Sequence, residues 1–171
     1  MLSKTRCRHL FSIVATIALA ALGTSAVSAV DGDKAMYMGG TIPNVKDKAE
    51  GKFVTTSDSE LVFQAGDNGS ATIPYATVTS LEYGQKAGRR VGVAIMISPI
   101  ALFSKKRKHY LTISHKDAAG KEQAGVFELG KDIVRTTLKI VEVRTGKEIE
   151  FQDLEACKQY KTPKECESTK G

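Results

Sequence analysis

Apolar and polar residues alternate along much of the chain, which is the spacing of β-strands with one buried face. Branched and aromatic residues, which favour strands, are concentrated in the same stretches. Polar turns separate them, and the sequence Gly-Asp-Asn-Gly at 66–69 is the strongest of these turns. Strands are predicted at 52–56, 60–65, 70–74, 78–83, 109–114 and 123–129. With an apolar stretch at 91–103, the pattern predicts about seven short strands, typical of a sandwich or small barrel.

The spacing of apolar residues changes after residue 129. Between 133 and 141 they recur at helical intervals, with charged residues between them. Asp132 is the expected N-cap, and Gly146 is the expected stop. We therefore predict one amphipathic helix that covers an open end or face of the β layer.

The segments on either side of this domain look different. Residues 30–50 are polar and mixed, and we expect a loose lead-in there. Residues 148–171 read as a charged tail that carries Cys157 and Cys166. Two cysteines in an exported chain predict a disulfide that staples the tail, and two free thiols are the alternative.

The first 29 residues have the pattern of a secretory signal peptide. A basic start precedes an uncharged apolar run at 10–22, and small residues follow it. Cleavage is expected after Ala29, with Ala26 as a second site; an uncleaved anchor over 10–30 is the alternative. The mature protein is therefore expected to be exported, in the periplasm or outside the cell, and peripheral on a membrane.

Three stretches resemble the bacterial pleckstrin-homology-like (GRAM-like) domains. Ile73-Pro74-Tyr75 leads into a strand, basic residues lead into a second strand at 106–113, and Phe127-Glu128-Leu129 leads into the helix. The resemblance covers about residues 50–147. It implies a domain at 51–147 built as a small barrel of about seven antiparallel strands capped by one C-terminal helix. The basic cluster lies mid-chain and the signal peptide directs export, so the phosphoinositide ligand of eukaryotic members is not carried over.

The sharpest feature is the uncharged run at 91–103, which basic residues flank on both sides. Residues 86–108 carry a net charge of +7, and the rest of the mature chain sums to −4. The run is too short to span a bilayer, and Pro99 interrupts it. One interpretation is a bent element that contacts an anionic membrane surface or an envelope protein. The alternative is one or two buried strands with a turn at Ser98-Pro99.

The residues predicted to make this contact fall into a basic and an apolar group. The basic group is Lys86, Arg89, Arg90, Lys105, Lys106, Arg107 and Lys108. The apolar group is Ile95, Met96, Ile97, Ile100, Leu102 and Phe103.

The sequence assigns no catalytic residue, cofactor or metal. His109 and His115 fall on one predicted strand about 20 Å apart, at ~3.3 Å per residue, so they cannot share a metal ion. Without the signal peptide, 22 basic residues stand against 19 acidic ones, so the case for a nucleic-acid partner is weak. We predict a non-enzymatic binding module of the cell envelope. The alternative is a small β-barrel that carries an apolar ligand.

Overall fold

The computed structural model describes residues 34–85 and 108–168. The predicted signal peptide and nearly all of the basic-flanked run lie outside these residues. The eight strands are β1 (Ala35–Gly40), β2 (Ala49–Val54), β3 (Glu60–Gln64), β4 (Ser70–Pro74), β5 (Val78–Gly84), β6 (His109–Lys116), β7 (Glu122–Leu129) and β8 (Ile149–Phe151). The helices are α1 (Val134–Thr145), α2 (Leu154–Tyr160) and α3 (Pro163–Ser168), and single 3-10 turns occupy Gly66–Asn68 and Tyr75–Thr77.

The strands form one mixed sheet in the order β4-β3-β2-β1-β7-β6-β5-β8. Every neighbouring pair is antiparallel except β5 and β8, which are parallel. The prediction of a mainly β fold with a helix after the strands is confirmed. The sheet is open, because its described edge strands, β4 and β8, do not pair with each other.

A short connection forces this sheet to curl. Strands β4 and β5 are six positions apart in the sheet, which would separate them by roughly 29 Å if the sheet were flat. Only residues 75–77 join them, and a chain from Pro74 to Val78 reaches at most about 14 Å. Strand β2 provides a bend, since residues 49–51 pair with β1 and residues 52–54 pair with β3.

The curled sheet encloses the main hydrophobic core. Phe127 lies at its centre, with its ring centroid 5.0 Å from Phe53, 5.3 Å from Phe63 and 5.4 Å from Tyr37. Helix α1 packs Val134, Leu138 and Val141 against the same core. We call the side of the sheet that lines this core the core face, and the opposite side the outer face.

Helix α1 confirms the predicted helix, but its N-cap lies one residue later than expected. Its cap residue is Ile133, not Asp132, and Ile133 has no side-chain oxygen to cap with. A turn serves instead, because the Ile133 amide donates to the Gly130 carbonyl at 3.2 Å. Gly146 is the predicted stop: it has φ 65°, and its amide donates to the Glu142 carbonyl at 3.0 Å.

Strand β1 occupies part of the segment where we expected a loose lead-in. It lies between β2 and β7, in the middle of the sheet. Its Gly39-Gly40 end lies in close contact with β7. A Cβ atom on Gly40 would lie 2.2 Å from the Ala124 carbonyl oxygen, so a larger residue does not fit.

The charged tail is also more ordered than expected. Strand β8 joins the sheet, and helices α2 and α3 follow it. Asp153 caps α2 by accepting a hydrogen bond from the Ala156 amide at 2.8 Å. The predicted disulfide between Cys157 and Cys166 is present, with 5.8 Å between the Cα atoms, and it joins α2 to α3.

The aromatic centre of the core gives a test of this packing. We expect Phe127→Ala to lower the free energy of unfolding by about 3–5 kcal/mol, because it leaves a cavity that three rings line. Val143→Ala is the control, since Val143 is 64% exposed on α1 and its truncation should change the value by less than about 0.5 kcal/mol. Urea unfolding of the two variants measures both values. Equal losses would contradict a core centred on Phe127.

Candidate functional site

The basic-flanked segment is inserted between two strands that pair with each other. Strands β5 and β6 pair from Val78↔His115 to Gly84↔Tyr110, so no other strand lies between them. The chain leaves the sheet after Gly84 and returns at Lys108. We call this end of the sheet the root end. The described residues on either side of the segment, Gln85 and Lys108, therefore lie at the root end.

Of the residues predicted to contact a membrane or partner, the described part of the chain includes only Lys108. The others lie outside the described residues: Lys86, Arg89, Arg90, Ile95, Met96, Ile97, Ile100, Leu102, Phe103, Lys105, Lys106 and Arg107.

Lys108 is bound to the sheet at the root end. Its Nζ atom donates to Glu128 Oε2 on β7 at 2.8 Å. The side chain of Glu128 is 11% exposed and that of Lys108 is 35% exposed, so water screens this pair only in part. The pair connects the returning chain to a central strand. Lys108 therefore has a structural role in the sheet.

A second contact holds the start of β6. The Tyr83 hydroxyl and His109 Nδ1 are 2.6 Å apart, and the two rings are stacked. Burial raises the pKa of Tyr83 to about 12. Burial also lowers the pKa of His109, although the nearby Glu128 carboxylate opposes this effect. Both groups are therefore neutral near pH 7, and the chain is tied down on each side of the insertion.

Two aromatic residues of the C-terminal tail pack next to Tyr83 at the root end. Phe151 of β8 contacts Tyr83 edge-on at 6.2 Å, and Tyr160 of α2 lies 6.0 Å from Phe151. Tyr160 also donates a hydrogen bond to Glu142 of α1 at 2.8 Å. Strand β8 and helix α2, which follow the main domain, therefore pack against the strand that precedes the insertion.

The outer face carries a small apolar cluster of its own. Its members are Met36 and Met38 on β1, Tyr110 on β6 and Val126 on β7. Four glutamates lie on the same face towards the root end, as the strand registers show. They are Glu50, Glu82, Glu128 and Glu150.

A narrow gap lies between α1 and the core face, and it has no space for a water molecule. Its walls are apolar side chains, among them Leu61, Ile73, Val78, Leu81, Ile113 and Val141. An open groove of about 470 Å³ lies beside β2, but charged and polar residues line it, including Lys34, Glu50 and Gln64.

The described residues contain no group of His, Cys, Asp and Glu that could hold a metal ion. None of the helices in the described part of the chain is long and apolar enough to cross a membrane. Comparison with protein-family models gives no match, and comparison with curated proteins gives none either. The geometry of the root end and of the outer face therefore carries the functional argument.

The two histidines of β6 predict how stability depends on pH. Burial lowers the pKa of both His109 and His115 below the ordinary value of 6.5. As pH falls below about 6.5, the unfolded chain takes up protons before the folded one, so the free energy of unfolding should decrease. Urea unfolding at pH 7.5 and pH 5.5 measures this decrease.

The double variant His109→Gln, His115→Gln is the control for this prediction. It should lose most of the dependence between pH 7.5 and 5.5, because carboxylates such as Asp117, whose pKa is lowered, titrate below this range. An unchanged pH dependence in the double variant would show that other groups cause it.

Proposed function

We propose that this chain is an exported, non-enzymatic binding module of the cell envelope that attaches to an anionic membrane surface through residues 86–107. An envelope protein is the second partner that this segment suits. The observation that carries the proposal is the place of the insertion. A segment with six cations and a 13-residue uncharged run is inserted between two strands that pair with each other, at one end of the sheet.

The insertion point places Gln85 and Lys108, which precede and follow the segment, at the same end of two paired strands. Neighbouring strands lie about 4.8 Å apart, so the residues just after β5 and just before β6 start from the same place. Lys86, Arg89 and Arg90 follow one strand, and Lys105, Lys106 and Arg107 precede the other. Cations near an anionic surface contribute about 1 kcal/mol each, and salt screens this attraction. Together with an uncharged run, such a patch suits an interface of anionic headgroups and acyl chains.

The anchors at the root end support this role. The Lys108–Glu128 ion pair and the Tyr83–His109 hydrogen bond fix the two chain ends that hold the segment. Because this base is already fixed, the sheet loses little conformational entropy when the segment binds a surface. This is the arrangement that a binding module requires of its scaffold.

The element order supports the proposal of a pleckstrin-homology-like module. Seven strands, β1 to β7, pair in an antiparallel sense and are followed by helix α1, which packs on the core they enclose. Strand β8 and helices α2 and α3 are additions to that pattern. The disulfide is in keeping with an exported protein, because such bonds persist in oxidising compartments.

The filled core argues against the second function, a carrier of an apolar ligand. A carrier needs an apolar cavity of a few hundred Å³. The gap beside α1 has no space for a water molecule, and the groove beside β2 is open to solvent, with Lys34, Glu50 and Lys52 among its walls.

Flotation of the mature protein with vesicles tests membrane binding. We expect binding to vesicles that contain anionic phosphatidylglycerol, weaker binding at high salt, and little binding to neutral phosphatidylcholine vesicles. Replacing Lys105, Lys106 and Arg107 by Ser should reduce the bound fraction at least about tenfold, since each cation contributes about 1 kcal/mol. Lys108 is left in place because it forms an ion pair with Glu128 of the sheet.

The matched control replaces Lys121, Lys131 and Lys147 by Ser. These three lysines are exposed and lie outside the segment, so the change in net charge is identical. Binding should remain close to that of the natural sequence. Equal losses of vesicle binding in both variants would show that net charge alone, and not the segment, determines binding. No binding under any condition would overturn the membrane role and favour a protein partner, to be sought by cross-linking in envelopes.

A further inference from the structure

The open groove beside β2 lies at the root end of the sheet. Ala35 of β1 pairs with Gly51 of β2 on one side and with Leu129 of β7 on the other, and Leu129 pairs with His109 at the start of β6. Gly51 lines the groove, and so does Gly66, which follows β3. Neither glycine has a side chain to fill it, so the groove stays open to solvent.

Two lysines lie side by side at this groove. Lys34 and Lys52 are each one position beyond Ala35 and Gly51, which pair with each other, and both lysines line the groove. Like charges on neighbouring strands repel each other and lower stability. An arrangement that costs stability is expected where it serves a function. For two cations beside an open groove, that function is the binding of an anion.

Glu50 compensates only one of these two charges. Its Oε1 atom lies 3.1 Å from Lys34 Nζ, and the two side chains are 42% and 41% exposed, so water weakens the pair. The ion pairs among the described residues do not include Lys52. Gln64 lies opposite Lys52 in the pairing of β2 with β3, and it adds a side-chain amide to the same groove. The groove therefore holds more positive than negative charge, together with a neutral hydrogen-bond donor.

We propose that this groove binds a phosphate ester, held by Lys34 and Lys52 with the Gln64 amide as a third donor. A phosphate group presents several charged oxygens in different directions, so two ammonium groups and an amide can contact it at once. A carboxylate presents two oxygens and suits three donors less well. The groove has a volume of about 470 Å³, which leaves space for the alcohol part of the ester as well.

The site consists of described residues and does not depend on residues 86–107. Its phosphate belongs either to a lipid headgroup or to a soluble ester. In the lipid case the inference rests on the proposed function and deepens it. The groove and the insertion point lie at the same end of the sheet, so one membrane surface can meet both.

Titration with glycerol phosphate tests the groove without any membrane. Two-dimensional NMR of the mature protein in phosphate-free buffer follows the amide signals of Gly51, Lys52 and Gly66. We expect saturable shifts at these amides, smaller shifts with acetate, and a Kd at least about tenfold higher in Lys52→Ser, which loses a charge-assisted contact. Lys121→Ser is the matched control: Lys121 is exposed at the turn between β6 and β7, and its loss should leave the Kd within about twofold.

Two further variants separate a site from a general charge effect. Glu50→Gln should bind glycerol phosphate about threefold more tightly, because its side chain no longer competes for Lys34. Glu148→Gln makes the same change in net charge at an exposed position outside the groove, and its Kd should stay unchanged. Without phosphate, Lys52→Ser should unfold at an equal or higher urea concentration than the natural sequence, because the repulsion from Lys34 is removed. A lower value would contradict the repulsion on which the inference depends.

Flotation distinguishes the two sources of phosphate. If Lys52→Ser binds phosphatidylglycerol vesicles less well than Lys121→Ser does, the groove takes a lipid headgroup. Equal vesicle binding by these two variants, with the titration intact, assigns the groove to a soluble ester. Absence of saturable shifts with glycerol phosphate, equal shifts with acetate, or equal effects of Lys52→Ser and Lys121→Ser on the Kd overturns the proposal. The membrane role of residues 86–107 is judged separately, by the flotation of the variant changed at 105–107.

Discussion

The three-residue connection between β4 and β5 constrains the whole molecule. It draws two strands that are six places apart in the sheet into proximity, so the sheet has to curl and its core face becomes an enclosed space. The rings of Tyr37, Phe53, Phe63 and Phe127 fill that space, and helix α1 closes it. A longer connection would permit a flatter sheet, and the large aromatic residues would then lack partners.

Curling has a further effect on the opposite side of the sheet. A sheet bent around one core presents its other side as a broad convex surface. In most single-layer arrangements such a surface is polar. Here β6 and β7 are buried on both faces, with Leu111 and Phe127 towards the core and Thr112 and Val126 outwards. Burial on both sides distinguishes these two central strands from a surface of that kind.

Local patterns in the sequence predicted the parts of the fold that depend on local physics. Strands β3 to β7, helix α1, its stop at Gly146 and the disulfide all follow from alternation, helical spacing, backbone conformation and cysteine number. Strand β1 did not follow, because residues 30–50 are polar and mixed, and the close approach of Gly40 to the Ala124 carbonyl depends on a strand far along the chain. Strand β8 is three residues long, too short for any period to be recognised. The Lys108–Glu128 and Tyr83–His109 contacts depend on the pairing of distant strands, which one sequence does not specify. The sequence therefore predicts a binding role for Lys108 and gives no sign of its ion pair with Glu128.

The parallel pairing of β8 with β5 has a consequence for when the root end can form during synthesis. Residues 149–160 supply Phe151 and Tyr160 behind Tyr83, yet they follow the insertion by more than forty positions along the chain. A ribosome releases residues in order, so the basic segment emerges well before its support exists. Translocation as an unfolded chain would avoid this delay, because β8 and the oxidised cysteine pair could then assemble with the rest of the sheet in a single event on the far side of the membrane.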